Sequence, residues 1–353
     1  MRKNVLIILN YSMNSTDPIF SHQLEAAQKL SQKFDETVVI TSKPYEKNEL
    51  TSIKVFSIRW VEGRNLRNSI FFYFVFFKVL IKNIAHGKIV IFSHMTEVQS
   101  ALIAPFTQLF RIRHFLWYAH ASRSKYLSWC HFWLNGIITS TKGSCPIDGP
   151  KVLVVGQAIG SKFFNHKELA LPPLTKLIHI GRFDPAKNLE AILKVVEKLH
   201  AATPGIVFRQ VGGPSNSLYA ESAKQLQEKY RGCSWVNFSP NVSRAKIPEI
   251  LSASGCFIHS FSGSLDKTLL EATAARIPVV TLNQEYLHIF GSWQESENDI
   301  DLEREYLFMT SLDKAKLLLE LERRQQIVKS HHSFDQWSDR VGSILLDRQF
   351  EGV

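Results

Sequence analysis

The sequence predicts an α/β protein made of two doubly wound domains, each built on a parallel sheet. Three observations carry this. Short β-branched or apolar runs alternate with longer amphipathic stretches from end to end, the pattern of β-α-β units. A length of 353 residues exceeds the range in which one hydrophobic core keeps growing, so two domains of similar size with a cleft between them are expected. The alternation relaxes at 156–173, where Gly156, Gly160, Pro172 and Pro173 mark a domain connection.

In the first half, strands are read at 5–9, 37–41, 54–58, 89–92, 114–118, 136–139 and 152–155. A helix is read at 19–34, with Phe20, Leu24, Ala27 and Leu30 on one face. The apolar run at 70–81 is broken by Lys78 and falls short of the roughly 20 residues a bilayer-spanning helix needs. It reads either as a buried helix or strand or, with Arg64, Arg67, Lys78 and Lys82 around it, as a helix lying on anionic headgroups. The apolar residues 5–9 are too few for a signal-peptide core and read as the first strand. In the second half, strands at 177–180, 207–211, 235–238, 256–259 and 279–282 alternate with helices at 189–199, 220–230, 247–253 and 267–275. The expected domains are 1–165, with a terminal helix at 335–353 packing back on it, and 174–330.

Hydrophobic residues at 45% and charged residues at 21% suit a packed globular body. A net charge of +10 implies an anionic partner, whether nucleic acid, phosphorylated ligand or membrane surface. No zinc-finger spacing, basic zipper or RNA-recognition signature is present, so nucleic acid is set aside. The four cysteines lack C-x-x-C pairing or neighbouring histidines, which suggests neither a disulfide framework nor a zinc site and fits a cytoplasmic protein.

Chemistry in an open α/β sheet is sought just after each strand. Residues 178–188 (IHIGRFDPAKN) run from strand through turn into helix, with Arg182 and Lys187 flanking the turn. Arg182 offers a planar fork, Lys187 a mobile charge, and the helix start free N–H groups, which together make a diphosphate site. The same residues also read as a solvated turn with two surface cations. Residues 263–275 (GSLDKTLLEATAA) follow the strand ending at His259; small residues there expose backbone N–H groups, and Glu271 either accepts from ribose hydroxyls or is an ordinary helical Glu. Gly212 and Gly213 read as β-α turn residues. His120, after the strand at 114–118, is either a packed or solvated histidine or a cleft residue. Asp299-Ile300-Asp301 matches a metal-binding D-x-D formally, but it sits among Glu295, Glu297 and Glu303 without a preceding strand and reads as solvated surface.

These segments resemble glycosyltransferase family 4 from about residue 4 to 340, most strongly at 178–282. Gly181-Arg182 with Lys187 is similar to the family's G-R-x-x-x-x-K. The run from Leu269 through Glu271 to Pro278-Val279-Val280 resembles its E-x7-E helix and following strand, with Gly263 where most members carry the first Glu and G-S-L-D-K as a variant of bacterial relatives. Residues 236–242 resemble the loop beside the nucleotide base, with Val242 as base contact. Trp117-Tyr118-Ala119-His120, Ser93-His94-Met95, residues 155–160 and His331-His332-Ser333-Phe334 resemble bacterial members, whereas the loop at 10–20 offers Ser12, Asn14, Ser15 and Thr16 in place of the usual glycines. The resemblance implies a GT-B fold, two Rossmann-like domains facing a central cleft, the first on the acceptor side. It implies His120, Arg182 and Lys187 as catalytic residues, and Arg182, Lys187, Val242, Gly263, Ser264, Lys267, Leu270 and Glu271 as donor-binding residues. The implied reaction moves a sugar from a nucleotide-diphosphate sugar to a glycan or lipid-linked glycan, with retention and without a metal or cofactor; the cysteines suggest the cytoplasm, and the net charge with the cations around 70–81 suggests an anionic inner-membrane face. The alternatives are a nucleotide-sugar or lipid-phosphate binding protein that has lost transfer, and another GT-B enzyme such as an epimerase or a phosphorylase, although no lysine for pyridoxal phosphate is identifiable.

Overall fold

The computed structural model describes residues 3–15, 17, 20–45, 53–61, 63–85, 87–164, 173–294 and 300–348. The chain divides into two compact units, Met1–Gly156 with Asp335–Val353, and Gln157–Phe334.

The first unit runs β1 (Lys3–Asn10), α1 (Ser21–Ser31), β2 (Glu36–Thr41), β3 (Lys54–Ser57), α2 (Asn65–Ile84), β4 (Gly87–His94), α3 (Glu97–Leu109), β5 (Arg113–Trp117), α4 (Leu127–Trp133), β6 (Gly136–Thr139) and β7 (Val152–Val154). Its seven strands, all parallel, lie in the order β3-β2-β1-β4-β5-β6-β7. Helices cover both faces of such a sheet, so its central strands read as continuous apolar runs rather than alternating ones. Val5 to Leu9 in β1 and Ile91 and Phe92 in β4 are accordingly almost wholly buried. Residues 70–81 fall inside α2, which is a helix buried on one side only. Phe72, Val75, Phe76, Val79 and Leu80 pack inward while Leu66, Ile70, Phe74 and Ile81 remain exposed. Among the described residues no helix is long and apolar enough to cross a membrane.

The second unit runs β8 (Lys176–Ile180), α5 (Leu189–Ala202), β9 (Val207–Val211), α6 (Ser217–Lys229), β10 (Val236–Ser239), α7 (Ile247–Ser252), β11 (Cys256–His259), α8 (Lys267–Ala274), β12 (Val279–Thr281), α9 (Gln284–Phe290), α10 (Leu302–Ser311) and α11 (Lys314–Ile327). The five parallel strands lie in the order β10-β9-β8-β11-β12. A π-helical turn, Val328–His332, follows α11. His332 Nδ1 accepts from the Gln157 N–H at 3.1 Å and its carbonyl from Ile159 N–H at 2.8 Å, so the two strands of chain at the edge of this unit are knitted together.

The last helix, α12 (Phe334–Leu345), packs within the first unit. Trp337 is 1% exposed, 5.6 Å from the Trp117 ring, and the Arg113 guanidinium donates to the Ile344 and Leu345 carbonyls. Lys29–Asp335 at 2.7 Å and Lys33–Asp339 at 2.5 Å tie it to α1 and to the turn after it.

In each sheet the winding reverses beside the first strand: between β1 and β4 in the first unit, between β8 and β11 in the second. Loops leaving adjacent strands in opposite directions open a crevice at their carboxyl ends. Residues 181–188 and 260–266 leave β8 and β11 at that point, so the topology places both motifs of the second unit at its one reversal.

Candidate functional site

The segment after β8 turns sharply. Gly181 N–H donates to the Val211 carbonyl at 3.0 Å, and Gly212 meets it closely: a Cβ on Gly212 would lie 2.1 Å from the Gly181 oxygen, at φ +134°. Gly212 is thus required by the approach of two loops, more than the turn residue its sequence suggests. A short 3-10 turn, Pro185–Lys187, and Asn188 at φ 42° then lead into α5.

Arg182 is 58% exposed and forms an ion pair with Asp184 at 3.2 Å. Asp184 is itself nearly buried and accepts from Ser215 N–H at 3.2 Å, which fastens this turn to the loop after β9. Arg182 meets Asp184 through Nη1, and its exposed planar fork is the kind a bidentate phosphate contact uses. Lys187 is only 13% exposed; its ammonium pairs with Asp266 and lies 4.1 Å from the centre of the Phe261 ring. Ser260 Oγ donates to the carbonyl of Lys187 at 2.7 Å. The two turns that the sequence places apart by some eighty positions are thus locked to each other through one lysine.

Behind Lys187 runs a buried chain of polar groups. Asn283 N–H donates to Thr281 Oγ1 at 3.1 Å, and Thr281 Oγ1 lies 3.1 Å from His259 Nδ1. His259 Nε2 is 3.3 Å from Asp266 Oδ2. A neutral imidazole with its proton on Nε2 satisfies both contacts. Burial lowers the His259 pKa, and burial with the neighbouring His259 takes His179 down to about 3, so both stay neutral. Burial by itself would raise Asp266, but the His259 hydrogen bond and the Lys187 charge hold it well below the usual carboxylate range. Lys187 and Asp266 form a charge-neutral pair rather than a lone cation.

Gly263 stands in tight quarters. A Cβ there would lie 2.2 Å from Phe261 Cζ, so a larger residue could enter only if the ring under Lys187 moved. Asn283 Nδ2 donates to the carbonyls of Phe261, Gly263 and Ser264 at 3.0, 3.0 and 3.2 Å and fixes this loop. Ser264 and Lys267 are partly buried beside it, with Lys267 the first residue of α8. Asp266 also caps α8, accepting from Thr268 N–H at 3.2 Å.

Glu271 is 1% exposed, and its Oε1 is paired with Arg244. Among the described residues its Oε2 is buried without a hydrogen-bond partner, an acceptor left open for a donor group. Val242, two residues before Arg244, is partly buried against the apolar cluster containing Leu270. Leu270 is wholly buried in that cluster.

In the first unit His120 is exposed beyond β5, its ring edge-on to Tyr118 at 5.5 Å. Ser93 and His94 are buried, Ser93 Oγ 2.7 Å from His114 Nε2 and His94 5.4 Å from the His22 ring. Burial takes His114 down to about 3. The loop after β1 is held by Gln23, whose Oε1 accepts from Tyr11 and Ser12 N–H at 2.8 and 3.1 Å. Thr16 and Asp299 lie outside the described residues. Asp301 caps α10, accepting from Arg304 N–H at 2.9 Å.

Sequence reasoning missed Arg244, Phe261, Asn283 and Gln23, and it quoted Asp266 without its role. Asn283 carries a local signal, as a cap just before a helix after a strand. The others act across tens of residues and carry none.

Residues 161–291 match the family model described as glycosyl transferases group 1. No curated protein matches the sequence. Among solved structures, the chain resembles HepE of Anabaena in complex with UDP-glucose, at 13% identity over 98% of this chain and 100% of that one, TM-score 0.72. It also resembles a glycosyltransferase from Rickettsia africae, at 11% identity over 99% and 100%, TM-score 0.73. A third likeness is to sucrose-phosphate synthase of Thermosynechococcus elongatus, at 13% over 97% and 98%, TM-score 0.72. The fold is GT-B, two α/β units each on a parallel sheet.

Proposed function

We propose that the chain is a glycosyltransferase that moves a sugar from a nucleoside-diphosphate sugar to an acceptor, a glycan or lipid-linked glycan. The observation that carries this is Glu271: a buried carboxylate whose one oxygen is held by Arg244 and whose other has no partner among the described residues, in the unit that matches a glycosyltransferase model. A ribose hydroxyl would satisfy that oxygen, and leaving it unmet is costly. Arg182 and Lys187 are the diphosphate ligands in this reading, with Lys187 exchanging Asp266 for phosphate oxygens. Leaving-group charge grows on that phosphate as the anomeric bond breaks, and fixed cations lower the barrier there. Lys267 and the backbone at Gly263 and Ser264 complete the donor contacts, Val242 borders the base, and His120 acts on the transferred sugar. The UDP and UDP-glucose of the HepE complexes favour a uracil base and a hexose as first choices for screening. Retention and a metal-free and cofactor-free reaction follow from the family resemblance; a cytoplasmic location follows from the scattered cysteines, and a peripheral one from the net charge and the cations of α2.

The test is binding followed by transfer. Nucleoside diphosphates and their sugars are screened by thermal shift, because a ligand preferring the folded state raises its melting temperature. Transfer is then read as nucleotide released only when acceptor is present, with chelator added in parallel. Absence of any nucleotide-dependent shift sinks the reading. A binding protein without transfer is the second reading, favoured by Gly263, which offers the donor sugar no carboxylate; it predicts a shift with no acceptor-dependent release.

A further inference from the structure

The first unit carries a surface that the donor chemistry leaves unused. On α2, Leu66, Ile70, Phe74, Ile81 and Ile84 follow one another at spacings of three, four and seven and so share one face. They are 78, 61, 65, 70 and 48% exposed. At 1.5 Å per residue the row is about 27 Å long. Single exposed apolar residues are ordinary, but a continuous row of this length marks an interaction surface. Its neighbours extend it. Tyr73 and Phe77 of α2 pack edge-on against Phe106 of α3, at 5.8 and 5.2 Å, and Trp129 of α4 donates to the Ala101 carbonyl on α3 at 3.1 Å. Leu109 at the end of α3 and Phe132 on α4 are 74 and 70% exposed.

Charge decides what covers this face. At 100° per residue, Arg67 and Lys78 stand on the flank beside the apolar row, with Lys82 about 40° further round toward the buried face. All three are exposed, and none forms an ion pair among the described residues. The helix contains no acidic residue, and the chain as a whole is at +10. A second copy would bring like-charged flanks together, which opposes pairing. A lipid surface with anionic headgroups takes both parts at once, apolar residues at the acyl boundary and cations among the headgroups. The helix would lie along that surface, since no described helix is long and apolar enough to cross it.

We propose that the exposed face of α2, continued by the ends of α3 and α4, docks the protein onto an anionic bilayer surface. This is independent of the donor reading, since none of these residues belongs to the second unit.

The full chain is sedimented with vesicles of phosphatidylcholine alone and of phosphatidylcholine with phosphatidylglycerol, at low and high salt. Wild type should pellet with the anionic vesicles, less so at high salt. Ile70→Glu/Phe74→Glu should lower partitioning at least tenfold. Arg67→Glu and Lys78→Glu should each lower it about fivefold or more, on anionic vesicles only. Thermal shift by nucleotide, measured on the same samples, should be unaffected and confirms folded protein. Equal partitioning of wild type and both kinds of variant overturns the proposal. So does a wild-type dimer that ignores vesicles and that Ile70→Glu/Phe74→Glu converts to monomer, because a second copy would then be the occupant.

Discussion

The two units share a parallel-sheet plan, and two groups of cations, the site residues of the second and the α2 residues of the first, are held in opposite ways. In the second unit, three basic groups of the candidate site are matched by carboxylates of the same unit: Arg182 by Asp184, Lys187 by Asp266, Arg244 by Glu271. In the first unit, the cations of α2 point outward beside exposed apolar residues. Paired, partly buried cations are held in fixed geometry and can exchange one anion for another. Unpaired cations on a flexible stem suit a broad, yielding surface. The difference teaches that a net charge near +10 hides two kinds of basic residue, and that only burial and partners separate them.

The comparison can be broken most sharply at Lys187. Lys187→Ala should cut acceptor-dependent nucleotide release by about 10²–10³-fold, the usual cost of removing one group that stabilises transition-state charge, with the circular dichroism spectrum unchanged. Turnover equal to wild type would make the lysine a structural partner of Asp266 alone. Glu271→Gln should weaken nucleotide binding by about 1.5–3 kcal/mol by calorimetry, the range for hydrogen bonds to charged groups.

Gly212→Ala tests whether the loops of the second unit are as tightly built as the contact with Gly181 implies. It should lower stability by roughly 1–3 kcal/mol in denaturant unfolding, from backbone strain at its positive φ. Gly205→Ala is the control, since nothing lies within 4 Å of its Cβ position. Acid probes both units together. Folded His114 and His179 remain neutral to about 3, while the unfolded chain takes up those protons near 6.5. The unfolded state binds more protons throughout that window, so stability is intact above pH 6.5. It falls as pH drops toward 3, by up to about 1.4 kcal/mol per unit per histidine, measurable as a declining melting temperature. The smallest effect belongs to Ile70→Glu/Phe74→Glu, whose exposed positions should leave unfolding free energy within about 0.5 kcal/mol of wild type.

Much of the fold was legible because period and punctuation are local. The strands at 5–9 and 177–180 are apolar and β-branched runs, and the helix at 189–199 repeats its apolar residues every three or four positions, so each announces itself. Boundaries moved by a few residues: the strand read at 114–118 ends at Trp117, and the helix read at 220–230 begins at Ser217, where Asn216 caps it. The run at 70–81 was ambiguous for a physical reason. Apart from Lys78 its sequence is apolar all round, so periodicity could not say which face a sheet would cover.

The candidate site was half legible. Arg182, Lys187 and Glu271 stand at recognisable spacing in strand-turn-helix context. Their partners Asp266 and Arg244 come from 79 and 27 positions away, and no local pattern encodes such a pairing. Gly263 shows the limit well. In sequence it is a missing carboxylate; in the fold it is the space that lets Phe261 lie against Lys187.

The sequence by itself determined the α/β class, the order of its elements and the identity of the charged residues after β8 and β11. Hydrophobic periodicity and turn chemistry are properties of neighbouring residues, and they survive in one dimension. Only the tertiary structure decided which cations are neutralised, which carboxylate oxygen is left open and which face of α2 stays uncovered. Those depend on burial and on contacts between strands wound in opposite directions, where distance along the chain carries no information about distance in space.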